Sequence, residues 1–353
     1  MSLSARFENA QLRSMSLAKV GNPLREEALQ TSKQLCRFVP GDAELLTHCF
    51  LKSFRRLELH QFVHHSSLEQ NELYSYVANI FEDNDQLVEQ GGLIAKHLYA
   101  KSRHPNIKSG DLCIALIDGI GVADNDDVQA VSIIKSESKV PFLQISEQDG
   151  DLVLRTQQGI YPDKIDKGCL IINHGKENGF WVYLFDKGGG DTHFWNRDFV
   201  AAQPVQNEDY LTRRYSELCV AFAEKGLAED HGQEERAAVA ANSISYLNDK
   251  EDFDLAEFKK ETFADEPEMV EKFDTFKEEY EESSGTPLEE SFKVSKPEAE
   301  KAKKKLKSRL RLDTGAEISF SSGFLDSAHL FMERGRDADK DMQFVKIYFH
   351  EEV

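Results

Sequence analysis

Apolar positions recur with two different periods along this chain, and the change of period divides it. Leu45, Leu46, Cys49, Phe50, Phe54 and Leu57 fall at intervals that place them on one helical face. Leu73, Val77, Ile80 and Phe81 repeat that spacing, followed after Gly91 and Gly92 by Leu93, Ile94 and Leu98. The first hundred residues are therefore predicted to be mainly helical. Beyond Pro105 and Gly110 the texture changes to short runs of β-branched and aromatic residues at 112–117, 128–134, 142–145, 152–156, 169–173 and 180–185. Turn-forming residues separate them, among them Asp149-Gly150 and Asn178-Gly179. Strands joined so briefly must run antiparallel, because a parallel return needs a crossover of a dozen or more residues. In the last run Trp181, Tyr183 and Phe185 alternate with Phe180, Val182 and Leu184, which predicts a strand covered on both faces.

Helical spacing returns at Tyr210, Leu211, Tyr215, Leu218, Cys219 and Phe222 and continues to about Tyr280. Pro297, with Glu298 and Glu300 at the positive end of the helix dipole, marks the start of another helix. Closing strands are expected over 316–321, 330–333 and 343–350, with the last turn at 337–341. The predicted fold is α+β: N-terminal helices packed on a mainly antiparallel meander, then a helical section and a small C-terminal α/β element with antiparallel strands. A boundary near Pro204 divides it into 1–204 and 205–353.

Composition narrows the class. A chain of 353 residues that is 40% hydrophobic and contains 23 Phe can fill two cores. No run approaches the roughly 18 apolar residues a membrane span needs, and the opening residues lack an apolar signal core. A cytoplasmic protein is expected. Cys36, Cys49, Cys113, Cys169 and Cys219 are scattered and odd in number, as free thiols of a reducing compartment are. The net charge of −20 excludes a protein that coats DNA with its whole surface, so any contact with phosphates must be local.

Charge is unevenly spread. Residues 249–290 hold 17 Asp and Glu against 5 Lys, interleaved with Phe253, Phe258, Phe273 and Phe276. Residues 296–311 reverse the sign, with Lys296, Lys301, Lys303, Lys304, Lys305, Lys307, Arg309 and Arg311 against Glu298 and Glu300. A helix carrying those bases along one side meets several phosphates with little base preference. The competing explanation is that they complement the helix dipole and pair with the acidic section. Lys52, Arg55 and Arg56 form a second, weaker patch.

Catalytic and metal-binding patterns are missing from the sequence. His60 and His64 have i, i+4 spacing beside His65 but lack the glutamate of HExxH and an evident third ligand. Gly175-Lys176 lacks the remaining residues of a Walker A loop, and Gly119-Ile120-Gly121 lacks the third glycine of a dinucleotide fingerprint. Neither a cofactor, a metal nor an enzymatic activity is expected.

The ordered segments nevertheless resemble the bacterial 37-kDa nucleoid-associated protein family over almost the whole chain. The resemblance rests on Gly110-Asp111-Leu112, on the run from Ile133 through Lys135 to Glu137, and on the run from Lys164 through Asp166, Lys167 and Gly168 to Ile171. Trp195-Asn196-Arg197-Asp198-Phe199, residues 273–280 and the run from Pro287 to Phe292 extend it. It implies a cytoplasmic protein of the bacterial nucleoid, without established enzymatic activity, that contacts double-stranded DNA or DNA-handling proteins. It supplies no catalytic residue and no map of DNA contacts.

Two functions follow from these readings. In the first, residues 301–311 grip DNA non-specifically, and a homodimer doubles a weak local contact. In the alternative, the acidic section with Phe253, Phe258, Phe273 and Phe276 docks on a basic DNA-processing protein without touching DNA.

Overall fold

The computed structural model describes residues 5–351 except 56, 124, 188–193, 229, 264–265, 307, 321–327 and 338–339. It divides into two compact units, Met1–Val205 and Gln206–Val353.

The first unit is built on β1 (Gln11–Val20), β2 (Gln30–Thr31), α1 (Ala43–Leu51), β3 (His60–Phe62), α2 (Glu72–Glu82) and α3 (Leu87–Lys101). Then come β4 (Gly110–Val122), β5 (Asn125–Ser136), β6 (Val140–Gln148), β7 (Asp151–Gly159), β8 (Lys167–Ile172), β9 (Trp181–Asp186) and β10 (Ala202–Pro204). Eight strands form one sheet in the order β10-β3-β9-β8-β5-β4-β1-β2, with neighbours antiparallel. It is not a simple meander. The chain leaves it after β5 to make the separate β6–β7 hairpin, and β1, β2 and β3 are contributed from the stretch predicted to be mainly helical.

A bulge explains how β1 escapes detection. Register against β4 shifts between Leu12 and Ser14, so Leu12 and Met15 reach the same side of the sheet three residues apart, as they would on a helix. After the bulge strict alternation returns, with Met15 on one side and Ala18 and Val20 on the other.

The sheet is covered on both faces. Leu112, Ile114 and Leu116 of β4 join Val131, Ile133, Cys169, Ile171, Val182 and Leu184 beneath Leu73, Val77, Ile80, Ile94 and Leu98 of α2 and α3. The alternate residues Cys113, Ala115, Ile117, Leu170, Ile172, Trp181, Tyr183 and Phe185 pack with Phe50, Leu51 and Phe54 at the end of α1. The alternation in β9 predicted this two-sided burial.

The second unit contains α4 (Glu208–Ala221), α5 (Gln233–Asp249), β11 (Asp252–Asp254), α6 (Leu255–Thr262), α7 (Pro267–Ser284), β12 (Ser291–Lys293) and α8 (Lys296–Lys305). Its core is strongly aromatic, with Tyr215, Phe222, Phe253, Phe258 and Phe273 buried together. Two antiparallel hairpins follow, β13 (Ser308–Arg311) with β14 (Glu317–Phe320) and β15 (Met332–Asp337) with β16 (Met342–Ile347). Among the described residues no helix is long and apolar enough to cross a membrane. All five cysteines are free, Cys113, Cys169 and Cys219 buried and Cys36 and Cys49 half-buried. Burial raises the Cys113 and Cys219 thiols to about 12, so they stay protonated at neutral pH.

Candidate nucleic-acid interface

The basic segment does not form one continuous helix. In α8, Ala299 is fully buried and Ala302 and Leu306 pack against the core of the second unit. The opposite side carries Lys301, Lys304 and Lys305, all exposed and spaced i, i+3, i+4, which aligns them on one helical face. Lys303 is half-buried. Lys296 is committed elsewhere, its ammonium donating to the Asn248 carbonyl at 2.8 Å and to that of Lys250 at the end of α5. Lys301 pairs with Glu298 at 2.6 Å, one turn back.

The helix stops at Lys305 because the pattern beyond it changes to period two. Leu310 alternates with Arg309 and Arg311, and Gly315 turns the chain with φ 86°, which a glycine adopts without strain. The Leu312 amide donates to the Ala316 carbonyl at 2.8 Å and closes the β13–β14 hairpin. Arg309 and Arg311 therefore lie on a strand, opposite Ser319 and Glu317, rather than on the predicted helix face. Lys307 lies outside the described residues.

Several other lysines of the second unit are neutralised. Lys250 binds Glu257 and Glu261 at 2.9 and 2.7 Å, Lys259 binds Asp274 at 2.9 Å, and Lys272 binds Asp230 and Glu268 at 2.9 and 3.0 Å. Lys277 pairs with Glu281 at 2.7 Å. Within the acidic section these pairs engage Glu257, Glu261, Glu268, Asp274 and Glu281, so most of its carboxylates keep their charge unbalanced. Lys304 and Lys305 have no such carboxylate among the described residues.

The second basic patch is weaker than its composition implies. Lys52 forms an ion pair with Asp163, Arg55 is exposed, and Arg56 lies outside the described residues. The phenylalanines proposed for a partner are corrected outright: Phe253, Phe258 and Phe273 are 1%, 0% and 0% exposed and constitute the core. Phe258 and Phe273 recur among charges because α6 and α7 are amphipathic, and Phe253 because it is the inward residue of β11 between the exposed Asp252 and Asp254. Only Phe276 of that set is partly exposed, in a shallow hollow with Lys225, Glu268, Glu271, Lys272 and Glu279. His60 lies on β3 and His64 and His65 in the loop after it, so the helical spacing that suggested a metal pair does not exist.

The segments that carried the family resemblance in the first unit converge on one buried cluster, whose roles the sequence did not reveal. Lys135, at the end of β5, is fully buried and donates to Glu137 at 2.8 Å and to the Lys108 carbonyl at 2.7 Å. Lys167, at the start of β8, binds Asp186 at the end of β9 at 2.5 Å and lies 3.9 Å from Glu137. Both ammonium groups face the Phe194 ring, at 5.7 and 5.4 Å from its centre. Asp166 accepts from the amides of Glu137 and Ser138 at 2.7 and 3.1 Å, and Trp195 donates to the Gly168 carbonyl at 3.2 Å. Burial pushes the Lys135 ammonium below its usual pKa, with Glu137 opposing the shift. Two cations and two carboxylates thus balance around an aromatic ring and fasten the wide helical turn Phe194–Val200 to the sheet. Charged residues at the ends of apolar strands were the available signal; their pairing is a tertiary fact.

An antiparallel sheet covered on both faces, followed by an aromatic-cored helical unit with a lysine face on α8 and two closing hairpins, defines an α+β protein. Residues 19–340 match the family model described as nucleoid-associated protein YejK, so the chain belongs to that nucleoid-associated family. Among curated proteins no match is found.

Proposed function

We propose that the protein is a non-catalytic component of the bacterial nucleoid that contacts double-stranded DNA through the lysine face of α8. The observation that carries this reading is the exposure of Lys301, Lys304 and Lys305 on one helical side, two of them without a carboxylate partner among the described residues. Such a row meets consecutive phosphates, releases counterions and reads no base edge. Family membership supports the setting, a nucleoid in a bacterial cytoplasm. The net charge of −20 restricts contact to this local face and opposes non-specific coating.

Binding to a fluorescent duplex over a salt series tests the reading. The wild type weakens with salt, and Lys301→Gln, Lys304→Gln and Lys305→Gln together reduce the slope of log K against log salt by about 2–3 units. A wild type that does not bind duplex even at low salt rules the proposal out.

One observation favours a second reading, an acidic surface for a basic DNA-handling protein. Phe276 is half-buried in a hollow whose rim carries Glu268, Glu271 and Glu279 against Lys225 and Lys272, an apolar point with a small excess of carboxylates. Salt-sensitive capture of a basic protein in the absence of DNA, lost in the triple Glu→Gln variant at these positions, distinguishes it from the first.

A further inference from the structure

A chain of net charge −20 can meet phosphates only where carboxylates are locally absent, and the first unit has such a place. The run from Gln90 to Gly110 holds no Asp or Glu, the longest such run in a chain with 63 of them. Lys96, Lys101, Arg103, His104 and Lys108 fall within it, all exposed. Lys96 and Lys101 stand with the exposed Ala100 on the solvent side of the last turns of α3, and the other three follow in the loop to β4. Lys96, Lys101, Arg103 and Lys108 have no carboxylate partner among the described residues. Acids on bordering segments are engaged elsewhere: Glu72 with His97 at 2.7 Å, Glu27 with Arg25 at 3.0 Å and Asp111 with Lys139 at 3.2 Å. Glu26 and Glu89 are the exceptions. Complementing the helix dipole accounts for Lys101 alone, because Arg103 and Lys108 lie beyond the helix and Ser102 already closes it, its amide and hydroxyl both donating to the Leu98 carbonyl.

The loop is also held in place. Buried Asn22 donates to the carbonyls of His104 and Ile107 at 2.9 and 2.8 Å, Arg25 to those of Pro105 and Ile107 at 3.1 and 3.0 Å, and buried Lys135 to that of Lys108 at 2.7 Å. Four carbonyls are thereby engaged by the protein, so the loop offers cations rather than acceptors and has little order left to lose on binding. We propose that Lys96, Lys101, Arg103 and Lys108 form a second site for double-stranded DNA, on the first unit and separate from α8. A duplex carries one charge per about 1.7 Å of its axis with a condensed counterion layer, and each base that meets a phosphate releases part of that layer. An acidic protein has no such layer to release, which makes it the weaker occupant of this face. The inference rests on the nucleoid setting of the α8 reading but uses no residue of that helix.

The test uses the full chain carrying Lys301→Gln, Lys304→Gln and Lys305→Gln. This triple variant still binds a fluorescent duplex at low salt, with a residual slope of log K against log salt of about −3 to −4. Acetylation followed by mass spectrometry shows where: duplex protects Lys96, Lys101 and Lys108 but not Lys164, exposed in the turn that Asp163 ties to Lys52 on the opposite face of the sheet. Adding Lys96→Gln, Lys101→Gln, Arg103→Gln and Lys108→Gln abolishes the residual binding with an unchanged unfolding midpoint, whereas Lys101→Arg with Lys108→Arg retains it. Poly-glutamate in place of duplex leaves the three lysines reactive. The proposal is overturned by a triple variant that no longer binds duplex, by residual binding that leaves the three lysines unprotected, or by equal protection from poly-glutamate. A triple variant that binds with the full wild-type slope instead removes the α8 reading and leaves this one standing, so the two fail separately. The protection pattern needs no substitution in the first unit, so it decides the matter even where the fourfold change there impairs folding.

Discussion

Lys135 illustrates how much a single buried side chain depends on residues distant in sequence. It is fully buried, and its partner Glu137 sits between it and the Lys167–Asp186 pair. Removing one member of a buried pair leaves the other charge uncompensated, whereas replacing both with apolar groups of similar shape is nearly neutral. Lys135→Met is therefore expected to cost about 3–5 kcal/mol in chemical denaturation, with most of that recovered in the Lys135→Met, Glu137→Leu double variant. A double variant that falls by the sum of the two single effects would refute the coupling. In sequence these residues were visible only as charges flanking apolar runs. Lys167 and Asp186 are 19 positions apart, and nothing local indicates that β8 and β9 bring them together.

Among the elements, helices and inner strands were legible because their periods are uninterrupted. The expected strands 112–117 and 128–134 fall inside β4 and β5, and the predicted helical stripe from Leu73 to Leu98 is divided between α2 and α3. Failures occurred where a period broke. The bulge in β1 imitates helical spacing, and the lysine-rich segment passes from helix to strand within a few residues. Local capping also shapes the second unit. Asp254 begins α6 by accepting from the amides of Ala256 and Glu257, each at 3.0 Å, and from the Ser291 hydroxyl at 3.1 Å. The Glu257 amide, then Ser291, hold its carboxyl below the ordinary value of 3.8. A depressed native pKa contributes stability above the unfolded value that is lost as pH falls through the native one. Asp254→Ala should thus unfold at lower denaturant than wild type at about pH 7, with the gap closing at about pH 2. A gap that persists unchanged in acid would show that the carboxylate is not its source.

On the scale of the whole molecule, a net charge of −20 leaves only small basic faces for the proposed contacts with DNA. On α8, three lysines correspond to a salt slope of about −3. Wild type and Lys304→Gln should therefore differ in slope by roughly 1 unit while binding the same kind of site. Equal slopes would mean that Lys304 meets no phosphate.

The sequence by itself determined the α+β class, the antiparallel run of strands, the two-sided burial of β9, the charge reversal between the acidic and basic sections, and the family. These follow from periodicity, turn chemistry and ordered motifs, all of which act over a few residues. Only the tertiary structure decided that β1 joins the sheet, that Phe253, Phe258 and Phe273 belong to a core, and that Lys296 caps α5 while Lys301, Lys304 and Lys305 face solvent. Burial and pairing depend on which distant segment packs against a residue, and residue type alone carries no record of that neighbour.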